Sequence, residues 1–355
     1  MINFYVIKIG LLTTLSFLLA FFLSPVLTHF LYKYKCCKKV ARTEAPDGRS
    51  TPLFNALHKD RETKTPRLGG LLVWGTVLII TLLFYLITRI FPWGFFDQLN
   101  FLSRSQTWIP LFTLVAAALL GLADDLLCIR GVGEKKKGAG IRFRHRAIAV
   151  VLIGLVGAWW FYSKLGWDTI HVPFLGDWQI GFWYIPLFIF IMLLSFSGSV
   201  VDGLDGLAGG VFISIFAAYG AIAFARGQYD LATFCAVVVG ALLAFLWFNI
   251  PPARYYLSET GILGLTTTLA VLVFLTNTVF IFPIIAIILI VEIASNVIQL
   301  ASKKFLGRKV FLIAPIHHHF EAKGWPAYKV TMRFWLISGV AAVVGVVLFL
   351  MDKSF

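Results

Sequence analysis

Charge is scarce in this sequence. Asp, Glu, Lys and Arg make up 14% of the residues, against about 25% in ordinary soluble domains. Acids are the scarcer sign, with 17 against 31 basic residues. Hydrophobic residues reach 59%, where soluble domains carry about 45–50%, and the two figures together exclude a water-soluble fold. Four cysteines in 355 residues exclude a disulfide framework. Cys36 and Cys37 lie in a Lys-rich stretch, placed below in the cytoplasm, and read as reduced thiols. No internal repeat, direct or inverted, no heptad seam and no low-complexity tract is present. The formal charge of +14 points to nucleic acid, acidic lipid or a phosphorylated substrate until the charges are located.

Long apolar runs are what the sequence has in abundance. They fall near 9–32, 68–90, 108–127, 147–163, 181–198, 205–225, 231–249, 262–281, 282–301 and 334–351, each close to the roughly 20 residues a membrane-crossing helix needs. The first follows Lys8, but it is about twice the apolar length of a signal peptide and has no small-residue cleavage site, so it reads as a span. Ten spans leave nine loops. Residues 33–67 hold ten Lys or Arg, 130–146 hold seven and 303–333 hold seven, which is 24 of the 31. All lie in odd-numbered loops, and the positive-inside rule places those in the cytoplasm with both termini outside. The basic charge therefore belongs to topology and to a phosphate-rich substrate, not to DNA. The expected fold is an all-α polytopic membrane protein of about ten helices, one domain over 1–355. A small external β-hairpin is expected near 168–183, turning at Leu175-Gly176-Asp177 between β-prone arms.

Carboxylates at span ends carry the candidate chemistry, because ionisable groups near a membrane core usually line a cavity. Asp124 and Asp125 close the third span. Adjacent acids repel unless a cation or a shared proton relieves them, so they suit metal chemistry or proton abstraction, although two solvated acids at a helix boundary look the same. The fifth loop reads Ser-Gly-Ser-Val-Val-Asp-Gly-Leu-Asp-Gly-Leu-Ala-Gly-Gly over 197–210. Asp202 and Asp205 share one face if the helix has begun, and Gly203 and Gly206 let a ligand approach the backbone. With the free N–H groups of the following helix, this is a site for nucleotide phosphate and Mg²⁺. In the seventh loop, Glu259 offers a further metal ligand and Asn249 an amide. A tyrosine there can stack on a base, though Tyr255 reads as membrane-interface belt and Tyr256 stays open. His317, His318 and His319 follow Ala314-Pro315-Ile316 in the ninth loop. Neighbouring imidazoles diverge too far to share one ion, so contacts to phosphate or hydroxyl groups are expected of them.

Taken in this order, Asp124-Asp125, Asp202-Gly-Leu-Asp205-Gly-Leu, Asn249 and Ala-Pro-Ile-His-His-His-Phe-Glu resemble the phospho-N-acetylmuramoyl-pentapeptide transferases. This is the bacterial MraY family, within the polyprenyl-phosphate N-acetylhexosamine-1-phosphate transferases. The resemblance runs from Lys64-Thr65-Pro66-Arg67-Leu68-Gly69-Gly70 to about Arg333. It implies transfer of phospho-MurNAc-pentapeptide from its UDP carrier to undecaprenyl phosphate, giving lipid I and UMP, with Mg²⁺ as cofactor and a homodimer as the assembly. By motif position it implies catalytic roles for Asp124, Asp125, Asp202 and His317. It implies substrate binding by Lys64, Ser199, Asp205, Asn249, Tyr256, His318 and His319, and metal binding by Glu259 with Asp202. The site would span the cytoplasmic loops 33–67, 124–146, 197–210, 249–262 and 302–333 of an inner-membrane protein.

Three positions depart from the family pattern. Its Met-Gly-Asp-x-Gly-Ser is here Leu257-Ser258-Glu259-Thr260-Gly261-Ile262, so the metal-binding Asp is a Glu, longer by one methylene. An Asn of the family is Ser199, and the last Thr of its Thr-Pro-Thr-Met-Gly-Gly is Arg67. The expected reaction is attack by the lipid phosphate on the donor diphosphate. Asp202 or Asp124 would orient or deprotonate the acceptor, or one carboxylate would act first as nucleophile. The rivals are a related transferase using a UDP-N-acetylhexosamine, a non-catalytic homologue, and a transporter. The last is disfavoured because these acids sit at span ends, not at the midplane of broken helices.

Overall fold

The computed structural model describes residues 2–39, 62–91, 94, 98–133 and 139–352. Arg42, Arg49, Lys59, Arg61 and Lys135 to Lys137, all part of the charge count, lie outside the described residues. Inside hydrocarbon every backbone N–H and C=O must be satisfied within its own segment, so the apolar runs become helices. In chain order these are α1 (Ile2–Lys33), α2 (Gly70–Ile90), α3 (Trp108–Arg130), α4 (Phe143–Trp159), α5 (Tyr184–Ser197), α6 (Leu207–Ala225), α7 (Tyr229–Asn249) and α8 (Ser258–Leu275). The short α9 (Phe282–Ile285), α10 (Ile287–Phe305), α11 (Ile316–Ala322) and α12 (Ala327–Met351) follow. Among the described residues, nine helices are long and apolar enough to cross a membrane.

The expected run at 282–301 is not one of the nine. The chain bends at Ala286 between α9 and α10, and α10 carries Glu292, Lys303 and Lys304. Contacts at the helix ends nevertheless make α10 the tenth crossing. Near the start of α1, Lys8 Nζ donates to the Asn100 carbonyl before α3 (2.8 Å) and to Asp230 at the start of α7 (3.1 Å). At the same end of the bundle, Asn277 after α8 accepts from the His171 N–H (3.0 Å), and His171 Nε2 lies 2.9 Å from Asp352 at the close of α12. Both chain ends thus share one face. That requires an even number of crossings, and α10 supplies the last.

The external hairpin pairs β1 (Thr169–Val172) with β2 (Gly176–Gln179), antiparallel, with Val172 opposite Gly176. Its turn is Pro173-Phe174-Leu175, earlier than the Leu-Gly-Asp expected. Proline presets the turn backbone, Leu175 N–H returns to the Val172 carbonyl (3.0 Å), and Asp352 holds the Phe174 N–H (2.8 Å). Gly176 and Asp177 belong to β2.

At the centre stands α8, in which every residue but Glu259 is buried. It packs on α3, α5 and α2, while α7 packs on α1 and α6 and α12 closes over α6. The approach between α3 and α8 is close: a Cβ at Gly121 would collide with the Glu259 carbonyl. That contact sets the first turn of α8 beside the last turns of α3, and so brings Glu259 to Asp124 and Asp125. An apolar cavity of about 500 Å³ opens between α3, α4 and α5, lined by Trp108, Phe112, Ile153 and Trp160 with Arg104 at its edge. It contains none of the carboxylates and belongs to the opposite half of the bundle.

Candidate active site

Four carboxylates from three separate parts of the chain meet where α3 ends and α8 begins. Asp124 and Asp125, both buried, come from α3. Asp125 accepts from Arg67 Nε (2.8 Å) and from the Thr260 N–H (2.9 Å), so each of its oxygens is engaged. Asp124 accepts from the Ile141 N–H and lies 3.6 Å from Arg146 Nη1. The same Nη1 pairs with Glu259 Oε1. Asp202 leaves the turn after the 198–201 segment and accepts from the Ser258 N–H (2.8 Å). Arg67 and Arg146 are the cations of the cluster. Burial works to lower the Arg67 pKa, but the Asp125 charge, with Cys128 and Glu259 behind it, raises it above the ordinary arginine range.

Asp202 is short of positive charge. Burial pushes its carboxyl up to about 6. The Ser258 N–H and the Arg67 charge oppose the rise, and the Glu259 and Asp125 charges add to it. Ser258 stands where the family pattern has glycine, and its φ of 59° lies in the left-handed region that glycine favours. Its hydroxyl accepts from the Leu68 N–H (3.3 Å), which ties the strained residue to the segment carrying Arg67.

Asp205 and Asn249 brace this loop from behind. Asn249 Oδ1 accepts from the Gly206 N–H (2.9 Å) and its Nδ2 donates to the Tyr255 carbonyl (2.7 Å). Asp205 accepts from the Ala253 N–H (3.2 Å). Tyr255 is fully buried with its hydroxyl 2.6 Å from that of Ser24, so it is a core residue and not part of an interface belt. Tyr256 is half-buried and pins two segments through its backbone, donating to the Pro66 carbonyl and accepting from the Gly69 N–H. Ser199 lies in the turn before Asp202 and accepts from the Asp202 N–H through its carbonyl (3.4 Å). Lys64 is exposed at the rim.

Of the three imidazoles only His317 meets the Asp202 turn. A Cβ at Gly203 would collide with its Nε2, which explains glycine after Asp202. His317 Nδ1 lies 2.9 Å from Glu292 Oε2, with both side chains fully buried, an ion-pair approach not aligned as a hydrogen bond. His318 pairs with Glu321 (2.7 Å), and His319 Nδ1 accepts from the Leu312 N–H (3.1 Å). These two hold the loop together. Burial, with Lys323 nearby, lowers the His319 pKa. Glu292 escaped the reading of the sequence although it carried a signal, a carboxylate inside an apolar run. Arg146 was read as one of the basic residues that set topology and collect anionic substrate, and nothing local announces its partner on α8.

The chain matches the glycosyl transferase family 4 model over residues 107–277, which include Asp124, Asp125, Asp202 and Glu259. It is 34% identical over 356 residues to a phospho-N-acetylmuramoyl-pentapeptide-transferase of Chloroflexus aggregans, covering 97% of this chain and 90% of the relative. A Geobacillus protein of the same name is 34% identical, over 94% of this chain and 95% of its own length. One from Lactiplantibacillus plantarum is 36% identical, over 81% and 85%. With alignments that run nearly end to end and carry the acid-bearing loops, the chain belongs to the phospho-N-acetylmuramoyl-pentapeptide-transferase family.

Proposed function

We propose that this chain transfers phospho-MurNAc-pentapeptide from UDP-MurNAc-pentapeptide to undecaprenyl phosphate, releasing UMP and leaving lipid I for peptidoglycan synthesis. The observation that carries this reading is the convergence of Asp124, Asp125, Asp202 and Glu259 with Arg67 and Arg146 at one end of a membrane-embedded bundle. Such a place suits joining a water-soluble diphosphate to a lipid phosphate. The basic loops support a cytoplasmic orientation for this end, in the bacterial inner membrane. The homodimer implied by the resemblance belongs to the same reading.

The donor set fits Mg²⁺ in kind. Carboxylate oxygens are the hard ligands Mg²⁺ prefers, and it commonly takes only one or two of them beside substrate phosphates. Among the described residues, four carboxylates meet two guanidinium groups there, an acid-rich setting that suits a cation. Among the described residues no three His, Cys, Asp or Glu side chains form a metal cage, so the ion would arrive with the diphosphate. Glu259 and Asp202 would hold it. When bound, Mg²⁺ would neutralise the donor diphosphate and stabilise UMP as leaving group.

The chain's own residues do the rest. Asp125 fixes Arg67, and Arg67 holds positive charge over the cluster. The Ser258 N–H orients Asp202, and Gly203 lets the buried His317 pack against the same turn. A phosphate monoester has a second pKa of about 6, so the acceptor is already largely dianionic at neutral pH and needs orientation more than a base. Asp125 has both oxygens engaged and Asp124 is bound to an amide and Arg146, which argues against either as a covalent nucleophile, and the reading takes direct attack by the lipid phosphate. The test is transfer of labelled donor to undecaprenyl phosphate, with UDP-N-acetylglucosamine in parallel. The reading expects product from the muramyl donor alone. Product only from UDP-N-acetylglucosamine would assign the chain to the related transferases instead.

A further inference from the structure

The apolar cavity in the half of the bundle remote from the acids is a slot open to the bilayer. α4 packs closely on α5, where a Cβ on Gly154 would press the Met192 sulfur and one on Gly157 the Phe188 ring, and it touches α3 far less. Phe112 and Val156 line the mouth and are exposed on the lipid-facing surface, while buried Met192 and Val271 form the floor. The slot thus runs from the hydrocarbon to the central helix α8. Thr113, also in its wall, spends its hydroxyl on the Ile109 carbonyl (2.8 Å), so the interior suits an apolar chain better than water. Its volume, about 500 Å³, falls in the range of roughly 300–1,000 Å³ usual for ligand pockets. The rim is different in kind. Arg104 lies just before α3, exposed, and among the described residues its guanidinium has no ion pair or side-chain hydrogen bond. Positive charge in this chain gathers at the opposite end, so an unpaired arginine here is out of pattern. Trp108 opens α3 and Trp160 follows the last turn of α4, and tryptophan at both places puts the rim at headgroup depth.

We propose that this slot binds one anionic phospholipid from the leaflet on the side of the two termini, with an acyl chain between α3 and α4 and the headgroup phosphate on Arg104. The chain reaches Val271 on α8 and covers the apolar walls. The planar guanidinium takes two phosphate oxygens at once, and the contact gains strength at the edge of hydrocarbon, where the dielectric constant falls. A neutral headgroup supplies the same chain but leaves Arg104 uncompensated, so the charge at the rim sets a preference for the anionic lipid. The acceptor of the proposed function is a different molecule in a different place, since its phosphate must reach Asp202 at the other end of the bundle. The inference therefore goes beyond the transferase reading and does not depend on it.

The full chain in detergent, washed free of bound lipid, is titrated with phosphatidylglycerol and with phosphatidylcholine of the same chains, and binding is read by native mass spectrometry. The wild type should bind the first phosphatidylglycerol about fivefold more tightly than phosphatidylcholine, the preference one arginine gives toward an anionic headgroup. Arg104→Gln should lose that preference and bind phosphatidylcholine as before. Ile153→Trp places an indole where the chain would lie and should weaken both lipids by about tenfold. Val156→Trp, at the exposed mouth, serves if that variant fails to fold. Phosphatidylglycerol should raise the melting midpoint of the wild type and not of the filled variants. Equal affinity of the wild type for the two lipids would overturn the proposal. So would phosphatidylglycerol affinities within twofold of wild type in both Ile153→Trp and Val156→Trp. Undecaprenyl phosphate that displaces phosphatidylglycerol from the wild type, and is itself lost from Ile153→Trp, would also overturn it by assigning the slot to the acceptor's tail. UMP release is measured separately, so absent turnover bears on the transferase reading alone.

Discussion

The two ends of the bundle treat charge differently. At the end holding both termini, charges close on themselves. Lys8 meets Asp230, and His171 lies between Asp177 and Asp352, 2.7 and 2.9 Å from them. The Lys8–Asp230 and His171–Asp352 contacts join segments distant in the chain, and the hairpin is sewn to the close of α12. At the other end, among the described residues, four carboxylates face two guanidinium groups, burial pushes the Asp202 carboxyl up, and Ser258 adopts a backbone better suited to glycine. The first arrangement is what a fold needs to fasten loops. The second gathers like charge at a cost to stability, and such clusters are found where a ligand binds.

The contrast can be broken by substitutions at either end. The largest effect is expected at Asp202: Asp202→Asn should lower UMP release by a factor on the order of 10³, as for loss of a group that stabilises developing charge, with little change in melting temperature. Asp125→Asn should cost both activity and fold, because removing one partner of a buried ion pair costs about 3–5 kcal/mol, here read as the melting midpoint in detergent. Asp352→Asn, at the fastened end, should lower the melting midpoint and leave kcat unchanged. A fall in kcat there would erase the distinction between the two ends.

Two smaller effects sharpen it. Asp202 with a pKa near 6 is ionised above that value and protonated below it. Metal-supported UMP release should therefore fall as the pH drops through about 6, and a carboxylate near 4 would carry it lower. Ser258→Gly should be tolerated. It relieves a left-handed residue whose strain is about 1 kcal/mol but gives up the hydroxyl bond from Leu68, so stability should move by less than that and turnover should persist.

Much of this was legible in the sequence for identifiable reasons. Span number, same-side termini and the hairpin follow from apolar length and from where Lys and Arg lie, both local properties. The acids of the site were legible because carboxylates at span ends in a chain poor in acid are conspicuous. The bend at Ala286 was not, since Phe282 to Leu289 reads as one apolar run. Tyr255 was misplaced because its partner, Ser24, lies in α1, far away in sequence. The same limit hid the pairing of Arg67 with Asp125, 58 residues apart, and of Arg146 with Glu259. Asp205, Asn249, His318 and His319 stand out in the sequence as polar residues and were expected to bind substrate. Their partners in the structure are backbone groups and Glu321, so they shape the loops that carry Asp202 and His317.

The most direct measurement is UMP release by the purified protein given UDP-MurNAc-pentapeptide and undecaprenyl phosphate, with and without Mg²⁺, beside Asp202→Asn. The account predicts turnover that requires Mg²⁺ and is lost in the variant, with Glu259 serving where the family pattern has Asp. Folded wild-type protein that releases no UMP under any of these conditions would contradict it.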